Sequence, residues 1–122
     1  MFRKLILIAT ISLLTSAAHA GGQADPASSC DGNTAEMVEC LKAKTAEWDK
    51  RMNVGYQQAL KAAVPKQLEQ LRAAQRLWIQ YRDANCLYYG LGEGTIAQVD
   101  AAECMRSMTE ARAHELENVG PK

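Results

Sequence analysis

The sequence predicts an all-α fold: a three-helix up-down-up hairpin bundle stapled by two disulfides. Apolar residues recur at helical spacing in three long segments, and no window alternates convincingly with period two. The chain has 122 residues and four cysteines. Long helices joined by short connections form up-down-up bundles. The core of so short a chain is thin, and disulfides offset that weakness.

The first twenty residues predict a signal peptide. Arg3 and Lys4 supply a positive start, the run 5–14 (LILIATISLL) is apolar, and Ala18-His19-Ala20 provides an A-x-A cleavage signal. This apolar run is too short to span a bilayer as a helix. Gly21 stands at the position where a lipoprotein would have cysteine. We therefore expect a soluble periplasmic or secreted product with no membrane anchor after cleavage.

The charge of the processed chain argues against a nucleic-acid partner. Removal of residues 1–20 leaves twelve basic and fourteen acidic side chains, a formal charge of −2. Nucleic-acid-binding domains ordinarily carry a clear basic excess. The charge is also too small to indicate a cationic partner.

The first helix is predicted to follow an irregular lead-in over 21–33, which is rich in small residues and turn formers. Asn33 and Glu36 have the spacing of a capping box at the start of this helix. Val64-Pro65 ends it, because the residue before proline is disfavoured in helical conformation. The predicted apolar stripe comprises Met37, Leu41, Trp48, Met52, Tyr56, Ala59 and Ala63.

The second helix is expected to begin at Pro65, a residue well suited to the first helical turn, and to reach about Tyr89. The segment 90–94 (GLGEG) ends it with three glycines in five residues.

The third helix is expected to begin with a second capping box, Thr95 with Gln98, and to end near Asn118 before Gly120-Pro121. The folded domain would then span 34–119. The predicted inner face of this helix comprises Ala97, Ala101, Cys104, Met105, Met108, Arg112 and Val119.

The four cysteines predict two disulfides, because an even count in a small exported chain is typical of a disulfide framework. Zinc spacing is absent. Counting the rise along each helix favours Cys30–Cys86 with Cys40–Cys104. The alternative is Cys40–Cys86 with Cys30–Cys104, since the lead-in could extend along the bundle.

One face of the second helix combines an aromatic ring with polar groups: Gln75, Trp78, Arg82 and Asn85 share a stripe. Matching axial levels across the bundle predicts a buried polar layer. Its members would be Asp49, Asn53, Gln75, Arg82 and Arg112. We favour a structural role in which Asp49 lies between the two arginines and fixes helix register. In the alternative, the same residues line a small anion or ligand pocket.

No catalytic constellation emerges from the sequence. His114 has Glu110 and Glu117 at helical spacing, but no serine or free cysteine is placed to act as its nucleophile. The methionines could suggest copper, yet their positions fit the apolar stripes, where methionine commonly fills core space. We therefore predict a non-enzymatic protein with no cofactor and no metal.

The order of several short motifs resembles the LprI-type lysozyme-inhibitor family, a group of small exported bacterial domains. Cys30 and Cys40 are followed by D-x-x-M-N-x-x-Y beginning at Asp49, and then by Q-x-x-W-x-x-Y-R-D-x-x-C beginning at Gln75. A glycine-rich turn, Cys104 and T-x-x-R-x-x-x-L from Thr109 complete the pattern. The resemblance covers roughly 30–116 and implies an all-helical, disulfide-bearing domain able to inhibit lysozyme.

The expected partner is therefore a protein, with lysozyme or a related cell-wall lytic enzyme as the favoured target. The candidate partner-binding loop lies in 88–94 (YYGLGEG), and its members are Tyr88, Tyr89, Leu91 and Glu93. In the alternative, the segment is an ordinary connection with Tyr88 or Tyr89 packed inside. A second function remains open: a structural or stress-related periplasmic module that binds envelope proteins through a helix face.

Overall fold

The structure, a computed structural model, describes residues 29–119. These residues form three α-helices, α1 (Thr34–Ala62), α2 (Pro65–Gly90) and α3 (Ile96–Glu117), and contain no strand. The predicted all-α three-helix bundle is confirmed. The predicted signal peptide, residues 21–28 of the lead-in and Gly120-Pro121 lie outside the described residues.

The start of α1 is the capping box that the sequence predicts. The Asn33 side-chain oxygen accepts a hydrogen bond from the Glu36 N–H at 3.1 Å, and the Glu36 carboxylate accepts one from the Asn33 N–H at 2.9 Å. Gly32 precedes this box with a φ of 128°, a conformation that favours glycine. The lead-in therefore turns sharply just before the helix begins.

The start of α2 is as expected, but the start of α3 is not. Pro65 is the first residue of α2, and the Gln67 side chain accepts a hydrogen bond from the Val64 N–H at 3.1 Å. The capping box predicted at Thr95 is wrong, because Thr95 has helical φ and ψ and its side chain makes no capping hydrogen bond. An N-cap side chain reaches the helix only from extended backbone.

The core lies where α3 packs against both α1 and α2. Its buried centre comprises Met52 and Ala59 of α1 with Ala113 and Leu116 of α3. Trp48, Tyr56, Leu71 and Trp78 pack against this centre. Gly55 permits a close approach of α1 and α3, since a Cβ there would lie 3.3 Å from the Cβ of Leu116. The predicted inner stripe of α1 is thus confirmed.

The buried face of α3 is wider than predicted. Ala97 and Cys104 are buried as expected, but Val119 is exposed, which corrects its placement on the inner face. Thr109, Ala113 and Leu116 are buried, although the sequence reasoning missed them. Because α3 has one neighbouring helix on each side, more than one apolar stripe along it becomes buried.

Both disulfides join cysteines that are near in sequence, so both predicted connectivities are wrong. Cys30 pairs with Cys40 and Cys86 pairs with Cys104, with Cα–Cα distances of 5.6 and 5.4 Å. The turn at Gly32 directs Cys30 back along the first turns of α1, where Cys40 lies. The prediction compared heights along the three helices as if every pair of helices were in contact. The observed bond instead joins the two cysteines of the α2–α3 hairpin.

Candidate functional site

The polar stripe of α2 faces the bundle interior. Gln75 is buried, and Trp78, Arg82 and Asn85 are half-buried. The guanidinium carbons of Arg82 and Arg112 lie 5.2 and 5.9 Å from the centre of the Trp78 ring. Two cations on one indole form a cation–π cluster, which explains why an aromatic residue and arginine share this stripe.

Hydrogen bonds connect this stripe to α1 and α3. Arg112 donates from Nε to the Gln75 side-chain oxygen at 3.0 Å, and the Gln75 amide nitrogen lies 3.8 Å from the Met52 sulfur. Arg82 donates to Thr109 Oγ1 at 3.5 Å. The network therefore spans all three helices.

Two of the five residues expected in the polar layer lie apart from this network. The Asn53 amide donates to the Asp49 carboxylate at 3.3 Å. Asp49 does not lie between the two arginines as predicted: Arg82 pairs with Asp83, its neighbour in sequence, at 2.8 Å, and Arg112 pairs with Glu115 at 2.7 Å. The axial levels were matched as if each helix faced both of the others, whereas α3 packs against α1 and against α2 on separate sides.

Within residues 29–119, every buried side-chain nitrogen or oxygen has a hydrogen-bond partner. The Gln75–Arg112–Arg82 network therefore presents no unsatisfied buried polar atom to a ligand, and this argues against the ligand-pocket interpretation. Its geometry suits a role in holding α2 and α3 in register.

The α2–α3 end of the molecule exposes large apolar side chains. Tyr88 and Leu91 are each 76% exposed, and Leu87, Tyr89 and Ile96 are also exposed. The interpretation that packs Tyr88 or Tyr89 inside is wrong. The two tyrosine rings contact each other edge to face, with centroids 5.4 Å apart. Sequence reasoning singled out this loop on its aromatic and glycine content, but not its apolar neighbours.

The loop between α2 and α3 is fixed at its base by a disulfide and has conformational freedom at its tip. The Cys86–Cys104 disulfide joins α2 to α3 one turn before the end of α2. Gly94 has a φ of 76°, and nothing lies within 4 Å of where its Cβ would be. Glu93 is exposed beside it and forms no ion pair within the described part of the chain. The α2–α3 end therefore presents aromatic side chains on a covalently braced base.

A second side of α2, next to the polar stripe, is apolar. Leu77, Tyr81, Ala84, Tyr88 and Leu91 follow one another at steps of four, three, four and three residues, and all are exposed. We name these five residues the outer face of α2. No charged residue belongs to this face, although Arg76 and Asp83 are exposed beside it on the same helix.

A groove of about 620 Å³ lies between α1 and α3. Trp48 is among its lining residues, and its ring already contacts two side chains of the protein. The Arg51 guanidinium carbon lies 4.9 Å from the centre of the Trp48 ring, and the centre of the His114 ring lies 5.1 Å from it. Arg51 also pairs with Glu117, and this hydrogen bond lowers the pKa of the Glu117 carboxyl.

Charged residues of α3 in the same groove bond to one another. Arg106 donates to the carboxylates of both Glu103 and Glu110. The hydrogen bond from Arg106 lowers the pKa of Glu103, and the two carboxylates raise the pKa of Arg106. Glu103 and Arg106 are thus held in their charged forms, so neither is poised to transfer a proton near neutral pH.

A second, more apolar groove of about 500 Å³ lies near the α2–α3 end. Its lining includes Val38 of α1, Gly90 of α2, and Ala101 and Met105 of α3. The apolar surface at the α2–α3 end therefore continues as far as α1.

Residues 29–119 contain no group of three or more His, Cys, Asp or Glu side chains arranged to hold a metal ion. None of their helices combines the length and hydropathy needed to cross a membrane.

Comparison with known proteins places this chain in a family. A family model described as lysozyme inhibitor LprI matches residues 24–116. This match covers most of the chain, so the protein belongs to the LprI lysozyme-inhibitor family, as the motif order implied. No curated protein and no solved structure matches the chain.

Proposed function

We propose that this protein is exported and inhibits lysozyme, or a related cell-wall lytic enzyme, by binding it directly. Membership of the LprI family supports an inhibitory role. The signal-peptide pattern of residues 1–20 supports export. The two disulfides agree with this location, because such bonds persist in oxidising compartments such as the periplasm. The inhibitor acts by occupying the enzyme and performs no chemistry.

The contact with the enzyme is made by the α2–α3 end, through Tyr88, Tyr89, Leu91 and Glu93. The observation that carries this assignment is the high exposure of Tyr88 and Leu91. Aromatic side chains dominate the binding energy of many interfaces, because they bury a large area for few rotatable bonds. A side chain that is largely exposed in the free protein can lose that area to a partner.

The disulfide beneath this end makes binding less costly. Cys86–Cys104 restrains both helices that lead into the loop, so less chain freedom is lost when the loop is ordered against a partner. A lysozyme cleft is concave and contains two catalytic carboxyl groups. A narrow projecting turn between two helices matches such a cleft better than the long side of the bundle does.

An inhibition assay tests the proposal. Oxidised protein spanning residues 21–122 is mixed with several classes of lysozyme, and lysis of bacterial cell walls is followed. We expect inhibition of at least one class at equimolar ratio. Absence of inhibition at tenfold excess over every class would refute the proposed function.

Matched variants locate the contact. Tyr88→Ala combined with Leu91→Ala should weaken inhibition by at least tenfold, because two hot-spot side chains are removed. Val64→Ala is the control, since Val64 is also exposed but lies at the opposite end of α2. Equal inhibition by wild type and the double variant would move the contact elsewhere on the molecule.

A second candidate function is supported by the outer face of α2. An exposed apolar helix face suits a periplasmic module that binds envelope proteins without inhibiting lysozyme. Lysozyme inhibition that depends on Tyr88 and Leu91 would favour the first candidate. Binding to an envelope protein that needs Leu77 and Tyr81, in a protein that inhibits no lysozyme, would favour the second.

A further inference from the structure

We propose that a second copy of this chain binds the outer face of α2, so that two molecules associate through antiparallel α2 helices. Leu77 and Tyr81 are 64% and 62% exposed, and Leu77 lies on the side of α2 away from the buried Gln75. Since α3 packs against the inner side of α2, no element within residues 29–119 covers this face. This inference stands without the proposed function.

The outer face is nearly symmetric about its own centre. Ala84 is flanked by Leu77 seven residues before it and Leu91 seven residues after it, with Tyr81 and Tyr88 in between. A two-fold axis at Ala84 would set Leu77 of one copy against Leu91 of the other, at both ends of the contact. The small alanines would meet at the centre and let the helices approach closely. Such self-complementarity is what a two-fold interface requires.

Two exposed charged residues favour the antiparallel orientation of the two α2 helices over the parallel one. Arg76 lies eight residues before Ala84, and Glu93 lies nine residues after it. Neither forms an ion pair in the part of the chain that the structure describes. In the antiparallel arrangement, Arg76 of each copy comes near Glu93 of the other. A parallel arrangement would instead bring like charges together, which is unfavourable.

The dimension of the face indicates a weak dimer. From Leu77 to Leu91 the helix rises about 21 Å, which gives an interface at the small end of the range for specific contacts. We therefore expect dissociation in the micromolar range or above. Dimerisation would cover Tyr88 and Leu91, so the α2–α3 end is accessible to another partner only in the monomer.

Sedimentation of the oxidised protein over residues 21–122 tests the dimer. Between about 1 μM and about 1 mM, the wild-type mass should rise from that of a monomer toward twice that value. Ala84→Glu places two carboxylates at the axis and should remain monomeric throughout. Val54→Glu is the control, since Val54 is also exposed but lies on α1, and its variant should dimerise like wild type. Circular dichroism confirms that both variants are folded.

A charge reversal tests the antiparallel direction. Arg76→Glu should weaken the dimer by about tenfold, because it affects two symmetric contacts. Adding Glu93→Arg should restore wild-type dimerisation. The proposal is overturned if wild type stays monomeric at every concentration, if Ala84→Glu dimerises as wild type does, or if the doubly reversed variant stays as weak as the single one.

Discussion

α2 and α3 are neighbouring helices that distribute their residues in opposite ways. Within α3, the only exposed large apolar side chain is Ile96, at its first residue. Its arginines bond to carboxylates along the same helix, as Arg106 does to Glu103 and Glu110. α2 instead turns the polar residues Gln75, Arg82 and Asn85 inward and exposes an apolar face.

The difference between α2 and α3 shows which of their apolar residues stabilise the fold and which do not. α3 lies between two neighbours, so its apolar residues are used within the chain. α2 has α3 on one side only, and the core uses little of its apolar content. Apolar residues that are not needed by the core, and that form one continuous face, are typical of a surface that contacts another molecule.

The largest expected effect comes from a pair of leucines on the two helices. Leu116 of α3 is 1% exposed in the core, whereas Leu77 belongs to the outer face of α2. Leu116→Ala should lower the free energy of unfolding by about 3 to 4 kcal/mol, because it leaves a cavity. Leu77→Ala should change it by less than about 0.5 kcal/mol. Denaturant unfolding of the monomer measures both, and equal losses would contradict the comparison.

A smaller effect is expected from two glutamines on opposite sides of α2. Gln75 is 5% exposed and accepts a hydrogen bond from Arg112, whereas Gln80 is exposed. Gln75→Leu should destabilise the protein by about 1 to 2 kcal/mol, because the Arg112 Nε loses its acceptor in a half-buried site. Gln80→Leu should have an effect below about 0.5 kcal/mol. If the two variants unfold at the same denaturant concentration, the Gln75–Arg112 contact does not hold the helices.

The smallest effect concerns the charged groups of α3 and its dependence on pH. Arg106 lowers the pKa of Glu103 in the folded protein, so the folded state binds that proton less readily than the unfolded chain does. The contribution to stability is present above the unfolded value of about 4.3 and is lost as pH falls through the folded pKa. The Glu103 side chain is 47% exposed, so solvent screening limits this contribution to about 0.5 kcal/mol.

Glu103→Gln isolates this contribution. The difference in unfolding free energy between wild type and Glu103→Gln should be positive at neutral pH and should vanish well below pH 4. Urea unfolding at several pH values measures it. A difference that is independent of pH would show that the Arg106 hydrogen bond does not depend on the charge of Glu103.

The sequence predicted the helices well because their signals are local. The Asn33–Glu36 capping box, the break at Val64-Pro65 and the stripe through Met52 each depend on a few neighbouring residues. The inward direction of Gln75 and Trp78 also followed from helical spacing alone. Thr95 shows the limit of such reasoning, since its spacing suits a cap but its backbone is helical.

The disulfides and the polar layer depended on the arrangement of the helices, which periodicity does not contain. The Cys30–Cys40 bond requires a reversal at Gly32 that no helical pattern reports. Asp49 was matched to Arg82 by axial level, but a level does not say which helices face each other. For the same reason, the exposure of Tyr88 could be decided only once the position of α3 was known.

Oxidative footprinting with mass spectrometry tests most directly whether the α2–α3 end is an accessible partner surface. Dilute oxidised protein is labelled alone and with a saturating amount of lysozyme. We predict rapid labelling of Tyr88 in the free protein and slower labelling of the half-buried Tyr56. In the complex, Tyr88 and Tyr89 should be strongly protected, and the labelling of Tyr56 should be unchanged. Labelling of Tyr88 as slow as that of Tyr56 in the free protein, or undiminished by bound lysozyme, would contradict this account.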